Sequence, residues 1–434
     1  MKRKREKAPS SENQYKGFRL SKGYTVDRIA LGDVTSESFY DQYVSQRKPC
    51  VLTGFPETID VTQWTNDVLK RKAGHATVEV EERKSVSDSY GKGVKTQMKF
   101  ADFINRVSAG DQHFYLTAQE LPVDSAGRQE LFGAPITQLM ADLPGPPKLP
   151  KLLGNLIVQQ LNLWMGNAKA GSSSGLHHDF HDNLYMLVRG RKRFTLFSPA
   201  DAFHLYTVGK ITRVHTNGRI NYSTHDTNPD GSLATLTNKQ SAEQELERAE
   251  QEILTCPQLP GTDPPEPLNF SAINLYAPVE TITSQFPLFT QATKTVCEVK
   301  AGEMLYLPAS WFHEVTSLNS PEDKSGHGHM AFNYWVHPPD FDGVFQSPYK
   351  LDYWRRDWES RFPETIRSAT VAQSTTIGKN TKPAKPGVMM ASGANVRENV
   401  STALPTKGKS VSVPQEPTKK HRNRNRKKKK QQQK

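Results

Sequence analysis

His177 and Asp179 stand two positions apart in Gly175 to Pro199 (GLHHDFHDNLYMLVRGRKRFTLFSP), and His313 stands in Ala301 to Ser317 (AGEMLYLPASWFHEVTS). Successive side chains of an extended strand alternate between its faces, so a His-x-Asp pair puts both ligand types on one face. His313 follows the apolar run Met304 to Pro308, where a neighbouring strand can bring a second imidazole to the same place. Two imidazoles and one carboxylate, with coordination positions left over, form the facial set that holds a non-haem ferrous ion. The same alternation turns His178 away from such a centre, although His178 and His181 are further histidines close by.

The elements around the pair must position it. Leu184 to Val188 is apolar, Arg189-Gly190-Arg191 has turn composition, and Phe194 to Phe197 resumes with strand-forming residues. The pattern predicts two adjacent antiparallel strands in a hairpin. Lys192, at the start of the return strand, is then expected to point its ammonium into the cavity that His177 and Asp179 line, where a cation suits a dicarboxylate.

With 434 residues the chain can bury a large core, and one catalytic domain with flanking regions is expected. Its three cysteines, Cys50, Cys256 and Cys297, are scattered, and their spacing supports neither a disulfide framework nor a zinc site. A membrane span and a secretory signal are not expected, because no apolar run reaches the required length. The net charge of +12 is uneven. Residues 419 to 434 contribute +10 and residues 1 to 7 contribute +4, which leaves the body with 42 basic against 44 acidic residues. The basicity therefore lives in the ends, which read as a nuclear or nucleolar address, with the cytoplasm as the alternative, or as a non-specific contact to nucleic acid phosphates. No aromatic residue interleaves the C-terminal charges, so base stacking is not offered there.

Composition divides the chain into a basic, disordered N-terminus (1–16), a mixed α/β region (17–125), a catalytic region (126–365) interrupted at 200–290, and a tail (366–434) ending in the basic cluster. Short strands are expected at 49–54, 75–81, 112–117, 157–165, 295–299, 304–307, 311–316 and 330–336, with helices near Glu37, over 64–71, 100–107 and 136–141, and over 349–362. Asn217-Gly218 is a turn signal, and Ser241 to Leu254 has the charge pattern of a capped helix. Nothing in the residue types of the 200–290 block demands catalysis, so a surface excursion is expected, with a cover over a cleft as the alternative. Tyr115 is either core or a hydroxyl presented to the pocket. The aromatic set in 349–362 is either core or a homodimer surface. No aromatic residue follows Phe362, and so poor a composition does not sustain a core. Many short strands separated by turns imply a mainly β fold with accessory helices, its core a jelly roll.

With the His-x-Asp pair, Lys192 and His313 in place, the chain resembles the JmjC-domain proteins, the cupin-fold (double-stranded β-helix) Fe(II)/2-oxoglutarate oxygenases. The likeness is strongest in the two motif stretches quoted and extends more weakly from Glu37 to Trp354. It is closest to the small JmjC protein hydroxylases, the branch of the factor-inhibiting-HIF asparaginyl hydroxylase and of the (3S)-lysyl hydroxylase that acts on translation-factor GTPases. The resemblance implies iron ligands at His177, Asp179 and His313. It places the far carboxylate of 2-oxoglutarate on Lys192, with Ser174 and Tyr115 hydrogen-bonding it. Ser174 stands where the family usually has threonine. Asn183, Asn333 and Trp335 match positions of the pocket wall. The implied reaction uses O2 and 2-oxoglutarate, releases succinate and CO2, and hydroxylates a protein side chain of the lysine or asparagine class. The implied partner is a protein substrate, a translation-related GTPase or a histone. Histone lysine demethylation, RNA-base hydroxylation and a catalytically silent chromatin or RNA tether are the alternatives.

Overall fold

The computed structural model describes residues 12 to 363, apart from 57–58, 60, 62, 92, 126, 144–148, 170, 224–225, 235–266 and 321–326. The helix expected over Ser241 to Leu254, most of the basic N-terminus and the tail with its basic cluster lie outside the described residues.

Strands β1 (Glu12–Asn13), β2 (Asp27–Ala30), β3 (Cys50–Thr53), β4 (Thr77–Glu82), β5 (Val94–Lys99), β6 (Phe114–Leu116) and β7 (Val158–Gly166) precede the first motif. From there on come β8 (Ser172–Ser173), β9 (His177–His178), β10 (Asp182–Arg189), β11 (Arg191–Phe197), β12 (Ile211–Val214), β13 (Ile220–Tyr222), β14 (Lys294–Lys300), β15 (Glu303–Leu307), β16 (Phe312–Leu318) and β17 (His329–Val336). They form a large sheet in the order β2-β3-β15-β10-β17-β7-β6-β4-β5, a smaller one in the order β14-β11-β16-β8 with β9 added to β16, and a third, β1-β12-β13. This is the jelly-roll core of a cupin with N-terminal α/β elements.

Alternation along the strands explains how the layers pack. Leu184 and Met186 of β10 and Met330, Phe332, Tyr334 and Val336 of β17 face outward, onto a core shared with helices Asn66–Ala73 and Phe100–Ser108. Phe100, Phe103, Ile104 and Val107 supply that helical face at the expected spacing. The intervening Tyr185, Leu187 and Ala331 face inward, where they meet Phe194, Leu196 and Val299 of the smaller sheet. A strand buried on both faces reads as a continuous apolar run, as Leu184 to Val188 does.

One expectation fails. Strands β10 and β11 do not form a hairpin: β10 pairs with β15 and β17 in the large sheet, and β11 pairs with β14 and β16 in the smaller one. Gly190 turns the chain from one sheet to the other at φ 85°. A Cβ at this corner would lie 2.6 Å from the Leu318 carbonyl oxygen and 2.7 Å from His329 Cβ, so only glycine fits. The sequence signal for this sheet-crossing corner is the same as that for a tight turn.

Other differences concern boundaries. The first helix, expected near Glu37, starts at Ser36 and is capped by Thr35 in a reciprocal pair with Ser38. Residues 12 to 16, grouped by composition with the basic end, belong to the fold: β1 pairs with β12, and Tyr15 is buried. In the closing helix, Tyr353–Arg361, Trp354 is buried and stacks on His337 with ring centroids 3.4 Å apart, which makes it core.

A buried ion pair ties the N-terminal region to the motif strands. Arg47 and Asp182 are both fully buried; Arg47 Nη2 lies 2.5 Å from Asp182 Oδ1 and Nη1 lies 2.8 Å from Oδ2. Asp182 also accepts from the Tyr306 hydroxyl at 2.6 Å and from the Ala309 amide at 2.8 Å. Trp311 Nε1 donates to the Arg47 carbonyl at 3.1 Å. The clamp holds the Pro308–Trp311 turn, which feeds β16 and therefore His313.

Candidate metal centre

His177, Asp179 and His313 each offer a ligand atom, and these atoms lie within 4.8 Å of one another. The route differs from a single strand face. Strand β9 ends at His178, and Asp179 follows it in an irregular segment. His177 is set opposite His313 by the β9–β16 pairing. Asp179 is fixed by its own carbonyl, which accepts from Ser310 N at 2.7 Å, so the turn that launches His313 also anchors Asp179.

The hydrogen bonds fix which ring nitrogen is available. His177 Nδ1 lies 2.9 Å from the Gly175 carbonyl oxygen, and His313 Nδ1 lies 2.9 Å from that of Trp311. A carbonyl only accepts, so Nδ1 carries the proton in both rings and the Nε2 lone pairs are free. His313 Nε2 is 3.7 Å from Asp179 Oδ2. Burial, then the neighbouring His313, pushes the His177 imidazole down to about 4, which keeps it in the neutral form that ligates. Neutral nitrogens and one carboxylate converging on one point fit a ferrous ion with open positions. His178 points the other way, with Nε2 2.7 Å from the Tyr222 hydroxyl.

Lys192 faces the same interior. Its cross-strand partner is Ser317, and Nζ lies 2.5 Å from Ser317 Oγ and 5.5 Å from the centre of the Tyr115 ring. The side chain is 1 % exposed. Among the described residues no carboxylate pairs with it, and burial pulls its ammonium down to about 7. A buried cation that its own chain leaves uncompensated is a seat for an anion.

The remaining candidates line the same space unequally. Asn333 Nδ2 donates to Asn183 Oδ1 at 2.9 Å, and Trp164 Nε1 donates to Asn333 Oδ1 at 2.8 Å, a relay that sets both amides. Trp335 is half-buried, with His181 stacked on it at 6.1 Å. Tyr115 stacks on Tyr90 at 4.7 Å, and burial raises its phenol. The Ser174 hydroxyl is taken by the local backbone: it donates to the Gly175 carbonyl at 2.9 Å and accepts from Val315 N at 3.0 Å. Ser172 sits opposite Ser317, in the row of Lys192.

Sequence reasoning missed Phe270. It lies in the 200–290 block, bridges to His177 and stacks on its ring at 4.8 Å and 14°. Asn269 Nδ2 and N–H···O bonds from His178 and Ser271 stitch this stretch beside β9. The described end of the block is therefore part of the centre's wall rather than a surface excursion alone. Ser172 was missed as well, because only the β8–β16 register sets it opposite Ser317; Phe270 carried no local signal.

The Cupin-like domain family matches residues 36–342. The chain belongs to this cupin-like JmjC family. Its relatives include the JmjC domain-containing protein 4 of Schizosaccharomyces pombe, 29 % identical over 81 % of this chain and 92 % of the relative. The human bifunctional peptidase and (3S)-lysyl hydroxylase JMJD7 is 26 % identical over 68 % of this chain and 79 % of its own. Arabidopsis thaliana lysine-specific demethylase JMJ32 is 32 % identical over 41 % of each. The family context is thus that of JmjC oxygenases.

Proposed function

We propose that this protein is an Fe(II)- and 2-oxoglutarate-dependent dioxygenase that hydroxylates a protein side chain, of the lysine or asparagine class. The observation that carries the reading is a three-ligand centre and an uncompensated buried lysine facing one interior. Ferrous iron with 2-oxoglutarate and O2 supplies C–H hydroxylation coupled to release of succinate and CO2. The chain's own residues do the rest. His177 and His313 present fixed Nε2 lone pairs, and Asp179 adds the carboxylate. Lys192 would hold the keto acid by its far carboxylate and so orient it within the cavity. Asn183 and Asn333, locked by Trp164, offer pre-set amides, and Phe270 shields the His177 face from water.

Hydroxylation is preferred over histone demethylation because the quoted motifs most resemble those of the small hydroxylases, and the likeness to the relative named a lysyl hydroxylase covers 68 % of this chain against 41 % for the one named a demethylase. The basic ends support a nuclear setting and a nuclear or translation-related protein as substrate. Purified protein is incubated with Fe(II), ascorbate, 2-oxoglutarate and candidate peptides. Succinate formation and a gain of one oxygen in the peptide are expected, both lost in His177→Ala by at least about a thousandfold. Turnover confined to methylated peptides, with formaldehyde released, overturns hydroxylation in favour of demethylation. No succinate under any condition overturns the enzyme reading.

A further inference from the structure

We propose that His329 and Ser172 bind the far carboxylate of the keto acid alongside Lys192, an assignment that rests on the oxygenase reading above. His329 is fully buried, and among the described residues neither ring nitrogen has a hydrogen-bond partner; Ser172 is 5 % exposed, and its hydroxyl has none among them either. Buried polar atoms are rarely left unpaired, so such a pair beside an unneutralised cation marks a ligand's place.

Register puts both side chains inside. His329 has the parity of Ala331, Asn333 and Trp335, and it pairs with Gly166, which also pairs with Tyr115. Its ring centre lies 5.8 Å from that of Tyr115, the ring over which the Lys192 ammonium sits at 5.5 Å. A Cβ on Gly166 would come within 3.4 Å of His329 Nε2 and 2.9 Å of Tyr115 Cδ2, so the missing side chain is what admits the imidazole beside the tyrosine. Burial and the nearby Lys192 charge hold His329 neutral, with one N–H to give. On the opposite sheet, Ser172 faces Ser317 and Ser317 faces Lys192, one row of donors across three strands. A carboxylate accepts about four hydrogen bonds. The ammonium has two donors left after Ser317, and the imidazole and the hydroxyl supply the other two.

The test uses full-length protein loaded with redox-inert Mn(II) and two keto acids, 2-oxoglutarate and 2-oxobutyrate, which lacks the far carboxylate. Affinities are measured by calorimetry for the wild type, His329→Leu, His329→Gln and Ser172→Ala. His329→Leu and Ser172→Ala are expected to weaken 2-oxoglutarate about tenfold each. His329→Gln, which keeps a donor, is expected to recover part of the loss, while 2-oxobutyrate and Mn(II) binding stay within about twofold. A wild-type preference for 2-oxoglutarate that survives all three substitutions overturns the assignment and leaves the oxygenase reading intact. Equal loss of both keto acids reveals a merely structural role and overturns it too. A wild type with no preference for 2-oxoglutarate overturns both.

Discussion

Arg47 and Lys192 are both cations withdrawn from water, and the chain treats them in opposite ways. Arg47 meets Asp182 through two hydrogen bonds, and the carboxylate's other contacts are filled by Tyr306 and Ala309. Lys192 meets a serine hydroxyl and an aromatic face. A buried charge satisfied on every side is scaffold, whereas one left without its counter-charge holds a place for something from outside.

The largest expected effect breaks the first half of that contrast. Asp182→Ala leaves the Arg47 guanidinium buried and unpaired, and urea unfolding is expected to show a loss of about 3–5 kcal/mol. A loss under about 1 kcal/mol would mean that water reaches the clamp. Lys192→Met tests the other half with the opposite sign. The free protein is expected to gain stability at pH 6, by an order of magnitude of 1–3 kcal/mol, because a solitary buried charge is removed. Calorimetry on the Mn(II) form is expected to show about a hundredfold loss of 2-oxoglutarate affinity. A destabilised variant that still binds the keto acid contradicts the contrast outright.

The pH dependence sharpens it further. Burial pulls the Lys192 ammonium of the folded protein down to about 7, while the unfolded chain holds its proton to the ordinary lysine value of 10.5. Between those values the unfolded state binds more protons, so stability of the free protein rises with pH across that window, and the penalty is fully present below it. With the ammonium holding the keto acid as proposed, the dissociation constant is expected to grow about fivefold from pH 7 to 8 in wild type and to stay flat in Lys192→Met. The smallest effect belongs to Ser174→Ala. Its hydroxyl serves the backbone at Gly175 and Val315, so 2-oxoglutarate affinity is expected to change by less than about threefold in the same titration. A tenfold loss would restore Ser174 to the carboxylate's partners.

The legible part of the site follows from period-two alternation. Phe194 to Phe197 announced its strand by alternating around the half-exposed Thr195, whereas the Leu184–Val188 run and the Met304–Pro308 stretch did so because burial on both faces demands apolar residues at every position. Gly190 misled because glycine is required both in a hairpin and where two sheets almost touch, and only the Leu318 carbonyl distinguishes the cases. Phe270 was invisible because its partner, His177, is 93 positions away and no local pattern links them. Ser174 was assigned by resemblance alone, and the β8–β16 register puts Ser172 in the row of Lys192.

The amino-acid order alone determined the ligand types, their spacing and the strand periodicity, because these are properties of neighbouring residues. It also determined where the net charge lies. Which groups are paired and which are left waiting was decided only by the tertiary fold. The aspartate that neutralises Arg47 lies 135 positions away, and the imidazole that neighbours Lys192 lies 137 positions away, at His329. Compensation of a buried charge is a contact between distant segments, and it exists only once the sheets have closed on each other.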